Sequence, residues 1–87
     1  MDIIIYEPYG TITISQRARL SFIEISALRK LLKLAEDRTC NQSPEAIGRQ
    51  LIEILDAESN RAWLSSRDLN KIKKRKEVIK KWLNGIH

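Results

Sequence analysis

DIIIYEPYGTITIS, residues 2–15, is the stretch on which the fold turns. Two β-branched runs, residues 2–7 and 11–15, flank Glu7-Pro8-Tyr9-Gly10. Pro8 suits the second position of a type I turn, and Gly10 suits a position where φ turns positive. A three-residue loop with a glycine bulge would pair Tyr6 with Ile12 and Ile4 with Ile14. Those four side chains would then share one apolar face, with Ile3 and Ile5 on the other beside Thr13 and Ser15. A two-stranded hairpin alone is marginal in water, so this one must pack on something. Its exposed edge would also invite a partner strand. Isoleucine on both faces argues that both are at least partly covered.

Helices supply the cover. Residues 16–20 form a short basic connector carrying Arg17 and Arg19. Ser21-Phe22-Ile23-Glu24 has capping-box spacing, and Leu20 and Ile25 stand where a hydrophobic staple would place them. The first helix is expected over about residues 22–38. A competing reading makes residues 20–25 a third strand and starts the helix at Ser26. The apolar positions from Ile23 to Ala35 cover more than one contact face, as in a central helix. Thr39-Cys40-Asn41-Gln42 reads as a polar break. Ser43-Pro44-Glu45 then gives a cap, a proline at the first helical position and an acid at the positive dipole end. That second helix is expected over 44–58. Its stripe is Ile47, Leu51, Ile54 and Leu55, and Gly48 on the same face permits close approach. Glu53, Asp56 and Glu58 are expected on the wet side.

Residues 59–64 either continue that helix or form a turn, with Trp63 as a core anchor. Ser65 or Ser66 caps a third helix over 66–84, which Asn84-Gly85 ends. The fold class is therefore α+β, an N-terminal β-hairpin packed on a three-helix bundle (ββααα), in a single domain of residues 1–87. The hairpin face Ile4, Tyr6, Ile12 and Ile14 is expected on the first helix. Leu28, Leu31, Leu32, Ile47, Leu51, Leu55, Trp63, Leu69, Ile72, Ile79 and Leu83 complete the expected core.

A chain of 87 residues buries only about 60–65% of its unfolded surface, so its margin of stability is thin. Five aromatics leave aliphatic side chains to fill most of the core. No stretch approaches the ~20 apolar residues of a membrane span. The first residues, MDIIIYEP, carry an acid and no basic region, unlike a signal peptide. Cys40 is the one cysteine, which fits a reducing, cytoplasmic setting. Catalytic equipment is sparse. The one histidine, His87, is terminal and expected to fray. One Cys and one His are too few for a zinc site. Three glycines form no phosphate loop. Pairs such as Glu36-Asp37 and Glu53-Asp56 read as ordinary helix-surface acids. The expectation is a non-catalytic protein with no cofactor and no metal.

Residues 11–55 resemble in part a ribbon–helix–helix repressor. TITIS stands as the ribbon, LRKLLKLAEDR as the first helix and SPEAIGRQLIEIL as the second. The resemblance implies a dimer with Thr11, Thr13 and Ser15 directed at bases in the major groove. The chain departs from that pattern in the strand that precedes TITIS and in the longer connector that follows it. Residues 9–14 also resemble the swapped-hairpin antitoxin group, which continues in strands where this chain continues in helices.

The charge layout points to a partner. Residues 1–60 hold seven Lys or Arg against nine Asp or Glu, net −2, while residues 61–87 hold nine against two, net +7. KIKKRKEVIKKW, residues 71–82, contains seven of those basic residues. Asn70, Lys73, Lys74, Glu77, Lys80 and Lys81 recur three and four apart, opposite the apolar stripe. A basic element on a near-neutral body suits a polyanion. The sites expected to bind nucleic acid (DNA or RNA), or else an acidic protein surface, are Lys71, Lys73, Lys74, Lys80 and Lys81, supported by Arg17 and Arg19. Lysine is a point charge and reads little sequence by itself. The function expected is a small cytoplasmic regulatory or accessory factor that binds nucleic acid. The alternative is a protein–protein interaction module, an adaptor or inhibitor, docking through the hairpin edge or the basic helix. A membrane partner is not expected, because the apolar face of the third helix is needed for the core. A homodimer through the hairpin is a further expectation.

Overall fold

The N-terminal hairpin packs on three helices in a computed structural model that describes residues 1–61 and 63–86. The expectation for His87 lies outside those residues. Strands β1 (Ile3–Glu7) and β2 (Gly10–Ile14) form the hairpin. A 3₁₀ turn (Leu20–Phe22) leads to helix α1 (Ile25–Asp37), a short strand β3 (Thr39–Cys40), helix α2 (Pro44–Arg61) and helix α3 (Ser66–Gly85). The fold is α+β, and the sheet has the antiparallel order β2-β1-β3.

The hairpin register differs from expectation by one residue. Ile3 faces Ile14, Ile5 faces Ile12 and Tyr6 faces Thr11, with Glu7 opposite Gly10 closing a two-residue loop at Pro8-Tyr9. No described residue has a positive φ, so Gly10 does not supply the left-handed position of a bulge. A slip of one residue exchanges the two faces of a strand. Ile3 and Ile5 are therefore fully buried and Ile14 nearly so, with Ile12 packed beside them, whereas Tyr6 is exposed and Ile4 half-buried. Four isoleucines on one face fill an apolar core without burying a phenol hydroxyl that would need a partner. The hydroxyls of Tyr6, Thr11 and Thr13 stay at the surface.

The polar break at residues 39–42 is a third strand in disguise. Cys40 pairs with Ile5 and Thr39 with Tyr6. Asn41 then extends the ladder. Its N–H donates to Ile4 O (3.0 Å), its Oδ1 accepts from Ile4 N (2.9 Å), and its Nδ2 donates to Asp2 O (2.9 Å). One asparagine thus satisfies the backbone polar groups of Asp2 and Ile4, in the way a longer strand would.

Helix starts follow local chemistry in two cases. Ser43 Oγ accepts from Ala46 N (3.2 Å) ahead of Pro44, and Ser65 Oγ accepts from Asp68 N (3.2 Å). The third start does not. The expected capping box at Ser21 is not formed, and α1 begins at Ile25 behind an extended Glu24 whose side chain caps nothing. Residues 20–25 are neither helical throughout nor a strand. Two buried charged side chains take their polar groups instead. Glu58 of α2, expected on the wet side, is 2% exposed, and its Oε1 accepts from Ser21 N (3.3 Å). Arg75 of α3 is 8% exposed and donates to Ile23 O through Nε (2.9 Å) and Nη2 (2.7 Å), and to Lys71 O through Nη1 (2.9 Å). Held at both ends, this segment leaves Leu20 free to enter the core.

The core joins Ile3, Ile5 and Ile14 to Leu28, Leu31, Leu32, Ile47, Leu51, Leu55, Ile72 and Ile79. Leu83 packs at its margin. Two expected core members are not there. Trp63, in the α2–α3 turn, is fully exposed, and Leu69 is 45% exposed. Trp82 and Leu83 occupy the α2–α3 contact instead, where a Cβ on Gly48 would stand 2.6 Å from Leu83 Cδ2 and 2.9 Å from Trp82 Cζ3. Gly48 is the residue that lets the two helices meet there.

Candidate nucleic-acid interface

Helix α3 buries Ile72, Arg75 and Ile79 and turns its lysines outward. Lys73, Lys74, Lys80 and Lys81 are exposed and Lys71 is half-buried. They do not form one stripe. Lys73, Lys76 and Lys80 follow the three- and four-residue spacing of one ridge. Lys76 on that ridge meets Asp56 of α2 at 2.5 Å. Lys71, Lys74, Val78 and Lys81 follow the same spacing on a second ridge. Lys81 on that ridge shares a groove with Arg29 and Lys33 of α1. Both ridges look out on solvent, with Glu77 as the acid between them.

Arg17 and Arg19 are exposed at the end of the molecule where the connector crosses α2 and α3. Arg61 Nη1 donates to Arg17 O (3.3 Å), and Arg19 lies 5.4 Å from the centroid of the exposed Phe22 ring. The Arg75 clamp sets Ile23 against Lys71, so the connector arginines and the first turns of α3 share this end. Lys80 and Lys81 lie toward the other end of the helix, one to two turns beyond Arg75. The structure thus gathers Arg17, Arg19 and Lys71 near one another and extends the remaining lysines away along α3.

Arg29 and Lys33 did not stand out in the sequence, because α1 carries both signs of charge. Their four-residue spacing, on the flank of α1 that also bears Leu32, is the signal that could have found them. Between α1 and α3 they border a groove of about 300 Å³. Its floor is Leu32, Val78 and Trp82. Trp82 Nε1 donates to Glu36 Oε1 (2.6 Å), which fixes the indole at the groove wall.

Ion pairing separates the cations into two groups. Lys33 reaches Glu36 and Asp37 at 3.9 Å each, Arg49 reaches Glu45 at 3.8 Å, and Lys76 reaches Asp56. Lys71, Lys73, Lys74, Lys80, Lys81 and Arg29 have no ion-pair partner among the described residues. Cys40 is half-buried, and its Sγ donates to Arg38 O (3.5 Å) and Ala35 O (3.8 Å). Burial pushes its thiol above the ordinary range, the opposite of what an activated nucleophile needs. Among the described residues no three His, Cys, Asp or Glu gather where they could hold a metal ion. No helix among them is long and apolar enough to cross a membrane.

The chain matches no family model, no curated protein and no solved structure.

Proposed function

We propose that this protein is a small, non-catalytic regulatory or accessory factor of the cytoplasm that binds nucleic acid through α3, with Arg17 and Arg19 in support. The observation that carries the reading is the set of unpaired lysines on α3 beside a paired Lys76 on the same helix. A cation already neutralised by a carboxylate gains little from a phosphate, whereas an unpaired one releases the phosphate's counterion on contact. Five such lysines on one helix, on a body whose first 60 residues are net −2, concentrate the attraction on one element.

Fluorescence anisotropy against random duplex DNA, single-stranded DNA and RNA, at about 50 and 200 mM salt, tests this directly. Binding should weaken steeply as salt rises. Replacing Lys73, Lys74, Lys80 and Lys81 together by Gln should flatten the log–log salt slope by roughly 3–4 while leaving the melting temperature in place. An unchanged affinity for every nucleic acid would make the lysines a solvated face.

A second reading has its own support. The outer edge of β2 carries no partner strand, and Thr11 and Thr13 beside it are exposed. Such an edge accepts a strand from another chain, a second copy included. In that reading the protein is an interaction module, and its basic helix meets an acidic protein. Light scattering should give a mass twice that of the chain at high micromolar concentration if two β2 edges pair. A monomeric mass removes the homodimer.

A further inference from the structure

We propose that the groove between α1 and α3 receives an unpaired base of a single-stranded nucleic acid, which makes the single strand the preferred ligand. This rests on the nucleic-acid reading above. Three observations carry it. First, the groove is concave and its floor is apolar, Leu32 and Val78 beside the indole of Trp82. A volume of about 300 Å³ is at the lower end of the range that holds small organic groups. Second, the rim is cationic. Arg29, Lys33 and Lys81 face one carboxylate, Glu36, whose charge is already shared with Trp82 Nε1–H and Lys33. Arg29 and Lys81 stay unpaired among the described residues, one on each bank. Third, the groove opens beside the Lys71–Lys74–Lys81 ridge, so a strand lying along that ridge passes the mouth of the groove.

An apolar floor with cations on both banks fits a ligand that is itself flat and apolar with anions on either side. A nucleotide in a single strand has that form, its base between two phosphates. In a duplex the base is stacked and paired, and must be extruded before it can reach the floor. Phosphates alone would use the lysines on both ridges equally and would leave the groove empty. The groove therefore predicts a difference between single and double strands that the lysines alone do not.

The test uses Trp63→Phe protein, in which Trp82 is the sole indole. An oligothymidylate of about 12 nucleotides is titrated against it, beside a duplex of equal length. The expected result is a saturable change in Trp82 emission with the single strand, and affinity about tenfold tighter than for the duplex. Val78→Glu, which places a carboxylate on the floor, should abolish the preference while duplex binding persists. Arg29→Gln, at an exposed position, should reduce the preference and serves if Val78→Glu lowers the melting temperature. Equal affinity for both ligands with unchanged Trp82 emission would overturn the groove proposal and leave phosphate binding standing. No binding of either ligand would overturn both. If a peptide of alternating Glu and Leu shifts Trp82 emission and the oligonucleotide does not, the groove belongs to a protein partner and the proposal fails.

Discussion

Leu51→Ala should destabilise the protein by about 2–5 kcal/mol, read as a lowered midpoint in urea. Leu69→Ala should change it by no more than about 0.5 kcal/mol. The two leucines belong to apolar stripes of similar strength in the sequence, so the contrast tests the packing and not the composition. Leu51 is fully buried on α2, within the cluster that joins all three helices to the sheet. Truncation there removes the transfer free energy of the side chain and leaves a cavity that close-packed neighbours cannot fill. Leu69 is 45% exposed in the first turn of α3. Small domains hold on the order of 5 kcal/mol in total, so the Leu51 change should leave much of the chain unfolded at room temperature. Equal effects at the two positions would mean that the first turn of α3 is seated against the core in solution. Leu32→Ala should cost a similar ~2–5 kcal/mol, since Leu32 is 2% exposed, but it also lines the groove and so mixes stability with binding.

The elements that could be read from the sequence are those fixed by neighbours in the chain. Ser43-Pro44 and Ser65 cap their helices because a serine hydroxyl reaches an amide three residues on, whatever the rest of the fold does. The stripes Leu28-Leu31-Leu32 and Ile47-Leu51-Leu55 are buried for the same local reason, a helical period of apolar residues. The hairpin's existence was legible, but its register was not. Both alignments place isoleucine on an inner face, and only the helices beneath decide which face is inner. Strand β3 was hidden because two residues carry no period, and Asn41 resembles a loop residue until its partners Asp2 and Ile4 are in place. Trp63 was misplaced because aromatic character suggests burial, while a turn after α2 exposes it and Trp82 takes the place near Gly48. The lysines of α3 were legible as a group. Their division into two ridges, and the meeting of Lys81 with Arg29 and Lys33, required two helices to be set side by side.

Arg75→Met should destabilise the protein by about 1–3 kcal/mol and loosen one segment more than the rest. Two effects oppose each other at this site. Removing a guanidinium from an 8%-exposed position relieves its desolvation, which by itself is stabilising. Against this, Ile23 O loses both of its charge-assisted donors, at 2.9 and 2.7 Å, and methionine offers none. Lys71 O matters less, because a helix carbonyl already has its backbone partner four residues on. Orphaning the Ile23 carbonyl therefore outweighs the relief of desolvation. It releases the connector at one end while Glu58 still holds Ser21 at the other. Hydrogen exchange should register this as faster exchange at Ile23, whose amide donates to Leu20 O, with α2 amides such as Leu51 following only global stability. Arg75→Lys separates charge from geometry. An ammonium keeps the charge and the desolvation but cannot reproduce the fork that spans Ile23 O and Lys71 O. It should be at least as destabilising as Met. A neutral Arg75→Met would mean that water replaces the guanidinium at Ile23 O, and that the connector carrying Arg17 and Arg19 is held by Leu20 and Glu58 alone.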